Sequence, residues 1–227
     1  MIAEAVAFLR EELSRYVLVN QRPESPLRRE DILLGNVAAL ETDTQNSLKN
    51  KVLISLVNLE EESTLKNGKS YIKNPLTNGI EYLQPPVYLN LYLLFSATLP
   101  DSAANDDYDR ALHRLGLIIQ FFQSKKLFTI KNSPQSPFAA SEDEVLKDEL
   151  RLLPELYTLT FEQINHLWGS LGGKQVPFAM YKVRLIKIQG RITTEAPLIE
   201  EIQKKSEELV APKIAQSTRK PNADEDN

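Results

Sequence analysis

The chain has 227 residues, 42% hydrophobic and 26% charged, with a formal net charge of −4 and no cysteine. That balance belongs to a globular chain able to bury well over half of its unfolded surface without staples. The slight acidity argues against a broad basic face for nucleic acid, and the missing cysteines exclude thiolate catalysis, disulfide frameworks and Cys-based zinc sites.

Ile2, Val6, Leu9, Leu13, Tyr16 and Val17 recur at steps of three and four, which predicts an N-terminal helix with one apolar stripe. Asn20 and the prolines at 23 and 26 end it. Glu4, Arg10, Glu11 and Glu12 fall in its opening turns and no small-residue cleavage site follows, so the segment does not read as a signal peptide. Ile32 to Val37 reads as a short strand and Glu41 to Asn50 as a polar loop. Lys51 to Leu59, KVLISLVNL, is apolar at both alternating sets of positions, the pattern of a central strand. Glu60 to Pro86 carries the turn signals NGK, NP, NG and PP and is expected to be a functional or mobile loop.

Val87 to Ala97, VYLNLYLLFSA, predicts a second long strand. Asp106 to Gln123 predicts a helix with Asp106 and Asp107 at its positive end and a stripe of Tyr108, Leu112, Leu115, Ile118, Ile119 and Phe122. Leu127 to Ile130 reads as a strand, Asn132 to Ser141 as a loop, and SEDEVLKDEL as a short helix capped by Ser141 and Glu144. Leu153 to Thr160 is expected to be a strand. Thr160, followed by Glu162 and Gln163, then caps a helix bearing Phe161, Ile164, Leu167 and Trp168, which Gly172 and Gly173 end. In Phe178 to Gln189, apolar Tyr181, Val183, Leu185, Ile186 and Ile188 interleave with Lys182, Arg184, Lys187 and Gln189, so one face of that strand is wet or meets a partner. The LISLV and LYLLF runs are far too short to span a bilayer.

The expected fold is α/β (α+β), a mixed sheet of about five or six strands flanked by helices, because strand–helix alternation is incomplete. Residues 1–193 form the domain and 194–227 an extended charged C-terminal arm, which needs a partner to order it.

No stretch specifies catalysis, a cofactor or a metal. Gly169 to Lys174, GSLGGK, has three residues before its Gly-Lys pair where a phosphate loop needs four, and it leaves a helix, so it reads as a helix C-cap. His113 and His166 lack ligand-spaced companions and read as packing or surface residues. Glu60, Glu61 and Glu62 read as a solvated loop. The local charge bias is Lys182, Arg184, Lys187 and Arg191, either a solvated face or a docking strip for an acidic partner. In the arm, Leu198, Ile199, Ile202 and Leu209 stand among charges as anchors for a partner surface.

Four stretches together resemble a known family: VLISLVNLEEESTLKN (52–67), PPVYLNLYLLFSA with YDRALHRLGLIIQFFQ (85–97, 108–123), LTFEQINHLWGSLG (159–172) and YKVRLIKI (181–188). These resemble the small tube-terminator or cap-adaptor proteins of phage-tail-like extracellular contractile injection systems. The resemblance reaches about residue 190 and departs at Pro177-Phe178-Ala179, where that family has a small serine-bearing turn. It implies a tail-terminator-like fold and a ring, six-fold, that ends the inner tube and joins it to the contractile sheath. The implied partners are other copies of the chain, the tube protein, the sheath protein and a second cap protein, with no specific nucleic acid and no membrane insertion. The implied location is the bacterial cytoplasm during assembly and then the particle. A stacked cap that does not touch the tube, and a cytosolic enzyme with an unrecognised site, are the alternatives.

Overall fold

A computed structural model describes residues 1–21, 26–65, 71–73, 80–83, 85–100, 105–140, 150–172, 174–188 and 193–195. Three long strands set its frame: β2 (Val52–Glu61), β5 (Val87–Ala97) and β8 (Phe178–Ile188), each antiparallel to the next. With β1 (Ile32–Leu34), β6 (Phe128–Thr129) and β7 (Arg151–Leu156) they form a six-stranded sheet in the order β1-β2-β5-β8-β7-β6. β1 runs parallel to β2, which makes the sheet mixed. A second sheet has the order β3-β4-β9, from β3 (Tyr71–Lys73), β4 (Ile80–Leu83) and β9 (Thr193–Glu195).

Strand alternation sends side chains into two cores. Val52, Ile54, Leu91, Leu93, Phe95, Tyr181 and Val183 join one with α1 (Ile2–Asn20) and α2 (Asn105–Ser124). Leu53, Tyr92, Leu94 and Met180 join the other, with Trp168 of α3 (Phe161–Ser170) and a 3-10 turn at Val37–Leu40. Aromatic rings fill the first: Phe122 stands 4.3 Å from Tyr181 and 5.1 Å from Phe95 between centroids. Burial there pushes the Tyr181 phenol up to about 12.

Several elements differ from the sequence expectation. β1 stops at Leu34, because Gly35 donates to the Ile54 carbonyl and Asn36 then caps the 3-10 turn through the Ala38 amide. Glu60 to Pro86 is more than a loop: β2 runs on through Glu61, and β3 and β4 pair as a hairpin. α2 is rotated relative to the predicted stripe. Ala111, Leu117, Ile118, Phe121 and Phe122 are buried, whereas Tyr108, Leu112 and Ile119 are 40–52% exposed. The helix carries apolar residues on two flanks, and the flank turned inward also holds buried Asp107 and Arg114, with Arg114 donating to the Asn50 side chain at 2.9 Å. β7 begins at Arg151 and contains Pro154; β6 pairs only with Arg151 and Leu152, so no ladder on that side needs the missing N–H. The helix expected at 141–150 falls almost wholly outside the described residues.

α3 begins as the sequence indicates. Thr160 Oγ1 accepts from the Gln163 amide and Gln163 Oε1 accepts from the Thr160 amide, a capping box. Just beyond its end Gly172 adopts φ +100°, a conformation L side chains rarely take. Phe161, however, is 88% exposed, and Trp168 alone on this helix is fully buried.

Trp168 meets Phe178 edge-on at 5.4 Å, and its buried Nε1 has no hydrogen-bond partner. Trp168→Ala is expected to cost about 3–5 kcal/mol in urea denaturation. Trp168→Phe is expected to cost much less, since no indole hydrogen bond is lost.

Candidate interaction face

Lys182, Arg184 and Lys187 lie on β8 on the polar side of its alternation, each half-buried while Tyr181, Val183 and Ile186 are buried. The alternation changes phase because the strand bulges. Leu89 pairs with Ile186 and Leu91 with Val183, so one β5 residue faces two on β8. β2 bulges near Val57 in the same way, opposite β5.

The cations are matched within the chain. Lys182 Nζ lies 2.9 Å from Glu60 Oε2, which also accepts from the Tyr92 hydroxyl at 2.6 Å. The same ammonium sits 5.4 Å from the Tyr92 ring centroid. Arg184 reaches Glu155 on β7 at 3.4 Å and Glu62 at 3.7 Å. Lys187 is also engaged. Arg191, Leu198, Ile199, Ile202 and Leu209 lie outside the described residues.

Glu60 to Glu62 therefore differ from the expected solvated loop. Glu62 accepts from the Thr64 hydroxyl at 2.6 Å and from the Asn90 amide nitrogen at 3.0 Å. These bonds, with Arg184 beside them, lower its carboxyl to about 2. Hydrogen bonds from Tyr92 and Lys182 lower Glu60, and the bond to Glu60 raises Lys182. Burial foremost, then the bond to Glu60, raises Tyr92. Sequence reasoning found the three cations but missed Glu60, Glu62, Tyr92 and Glu155 as their partners. The register accounts for two of them, since Tyr92 stands opposite Lys182 and Glu155 opposite Lys182 on the other side, whereas Glu60 and Glu62 reach β8 across β5.

Next to this ladder, on the α3 side, a groove of about 400 Å³ opens between β2, β8 and α3, and Glu60 and Tyr92 help to line it. Tyr92 and Tyr157 meet edge-on in its wall at 5.1 Å. His166 stands away from it, 80% exposed and 3.8 Å from Glu162, while His113 Nε2 is buried without a partner. Among the described residues no group of three or more His, Asp or Glu side chains is placed to hold a metal, and no helix is long and apolar enough to cross a membrane.

Residues 4–201 match the family described as the Pvc16 N-terminal domain. The chain belongs to that family. Nothing among curated proteins matches it. Among solved structures it is similar to the tube-terminating cap of the anti-feeding prophage, at 14% identity and a TM-score of 0.54, over 91% of this chain and 62% of that one. It is also similar to the sheath/tube terminator of the PVC extracellular contractile injection system in its extended state, at 12% identity and a TM-score of 0.45, over 94% of this chain and 65% of that one. The chain thus spans less than two-thirds of the length of either structure. This member of the Pvc16 N-terminal domain family shares its fold with the anti-feeding prophage cap. Where the sequence resemblance departs, at Pro177 to Ala179, the segment is packed: Phe178 lies on Trp168, and the Pro177 carbonyl accepts from the Ala97 amide at 2.9 Å.

Glu62 sets a pH dependence whose sign follows from its lowered carboxyl. Its stabilisation is full above the ordinary value of 4.5 and is lost as pH falls from there through about 2. Melting temperature measured across that acid range is expected to fall less steeply for Glu62→Gln than for the parent chain.

Proposed function

We propose that this chain is a structural subunit that caps a contractile injection particle, forming a ring that ends the inner tube and joins it to the sheath. The observation that carries this reading is the family match over residues 4–201, joined to the fold shared with a tube-terminating cap. The physical need is clear. Tube and sheath are stacked rings whose subunit contacts are heterologous along the axis, so each layer exposes a surface for the next until a different subunit closes it. A closing ring matches the symmetry of the layer it meets, and six copies is the number that the family resemblance implies. Its work is binding, not chemistry, and the particle is its final location after assembly in the bacterial cytoplasm.

The polar face of β8, with Lys182, Arg184 and Lys187, is the proposed partner-facing strip, and Arg191 follows it in the sequence. Because Lys182 and Arg184 already hold carboxylates, such a strip works by exchanging ion pairs, which favours orientation and choice of partner over raw affinity. The arm beyond residue 194, with Leu198, Ile199, Ile202 and Leu209, supplies apolar anchors for a neighbouring subunit, the tube, the sheath or a second cap protein.

Deletion of the gene is expected to leave tubes uncapped and of irregular length, with no change in metabolism. Particle length distributions by negative-stain microscopy check this. Unchanged lengths and stability in the deletion strain would contradict termination and favour a cap stacked above the terminator.

A further inference from the structure

The flank of α2 turned away from the core keeps a regular order. Tyr108, Leu112 and Ile119 are 52%, 45% and 40% exposed, Leu115 and Gly116 are half-buried, and Gln123 is exposed. At 3.6 residues per turn these positions fall within an arc of about 100°. Their spacing reads the same from either end: four residues from Tyr108 to Leu112, three to Leu115, one to Gly116, three to Ile119 and four to Gln123. A stripe with that symmetry matches a second copy of itself laid antiparallel, with the two-fold axis between Leu115 and Gly116. Leu112 then packs on Ile119 of the second copy, and Tyr108 covers Gln123, whose Oε1 accepts from its own chain's Lys126 at 2.7 Å.

Gly116 is an independent sign. Glycine is the poorest helix former after proline, yet it stands in the middle of a 20-residue helix. A Cβ built there would meet nothing within 4 Å, so no contact inside the chain accounts for the glycine. A second helix crossing at this point does, because the missing side chain lets the two backbones approach. The rim charges agree. Asp106 and Asp109 are exposed at one end of α2, and Lys126, which donates to the neutral Gln123, is exposed just past the other. Antiparallel copies bring acid level with base.

We propose that the free chain pairs with a second copy through α2, antiparallel about Leu115 and Gly116. One helix pair is smaller than the roughly 800 Å² per partner of a standard interface, so the pairing is weak and reversible. It closes at two copies, whereas neighbours in a ring meet head to tail. It is therefore a contact separate from those of the proposed ring and does not rest on that reading.

The test is sedimentation velocity of the full chain from micromolar to near-millimolar concentration, where a monomer–dimer equilibrium is expected. Leu112→Lys with Ile119→Lys is expected to weaken it at least about tenfold. Leu18→Lys with Val19→Lys, at exposed apolar positions on α1, is expected to leave it unchanged. Gly116→Gln separates pairing from folding, since the chain itself leaves room for the side chain. It is expected to raise the melting temperature measured on dilute protein and yet weaken pairing at least about tenfold. The absence of native cysteine makes orientation readable by oxidation. An equimolar mixture of Tyr108→Cys and Gln123→Cys chains is expected to cross-link mainly as the mixed disulfide. A chain that stays monomeric throughout, α2 variants that pair as the parent does, or cross-linking mainly between two Tyr108→Cys chains would overturn the proposal. All are read on isolated chain, so none bears on whether it terminates tubes.

Discussion

From Asn90 to Ala97 every residue of β5 is buried, and that burial on both faces dictates the rest of the architecture. A strand without a wet face must have a strand on each edge and a covering layer on each side. β2 and β8 take the edges, α1 and α2 cover Leu91, Leu93 and Phe95, and α3 with the Val37–Leu40 turn covers Tyr92 and Leu94. Each large side chain so buried contributes up to about 1.5–3 kcal/mol, so no surface interaction competes with this arrangement.

The candidate interaction face lies where β2 runs past the covering layers. Beyond Ser55 on β2, burial gives way to exposed and half-buried positions, and the strands there carry Glu60, Glu62, Lys182 and Arg184. The acids at the end of β2 and the bases of β8 stand on either side of β5 and meet across it, Lys182 with Glu60 and Arg184 with Glu62. The bulges near Val57 and opposite Asn90 increase local twist. The result is a face close to neutral in charge, with an apolar groove beside it. Specific contact on such a surface depends on shape and on the exchange of ion pairs, not on long-range attraction, which salt screens within about 8 Å.

Much of this was legible in the residues. The two-sided apolar run of β2 and β5, the stripe of α1, the capping box at Thr160 and the wet face of β8 all follow from period and cap chemistry. The family resemblance, read from PPVYLNLYLLF and INHLWGSLG, agrees with the family match. What stayed hidden depends on tertiary choice. α2 offers two apolar flanks, and only packing against β5 selects the one with Ala111, Ile118 and Phe122 over Tyr108 and Leu112. The β3–β4 hairpin has strands of three and four residues, too short for alternation to register among so many turn signals. The partners of the β8 cations were hidden because register is not written in a single strand.

A domain framed in this way, with fixed cores and charge-matched strand ends, fits the capping role proposed above. The most direct measurement is to tag the chain, label purified particles with gold against the tag, and image them. Gold is predicted at one end only of each particle, the end distal to the baseplate, clustered as a ring. Gold spread along the sheath, or absent from intact particles, would contradict the assignment.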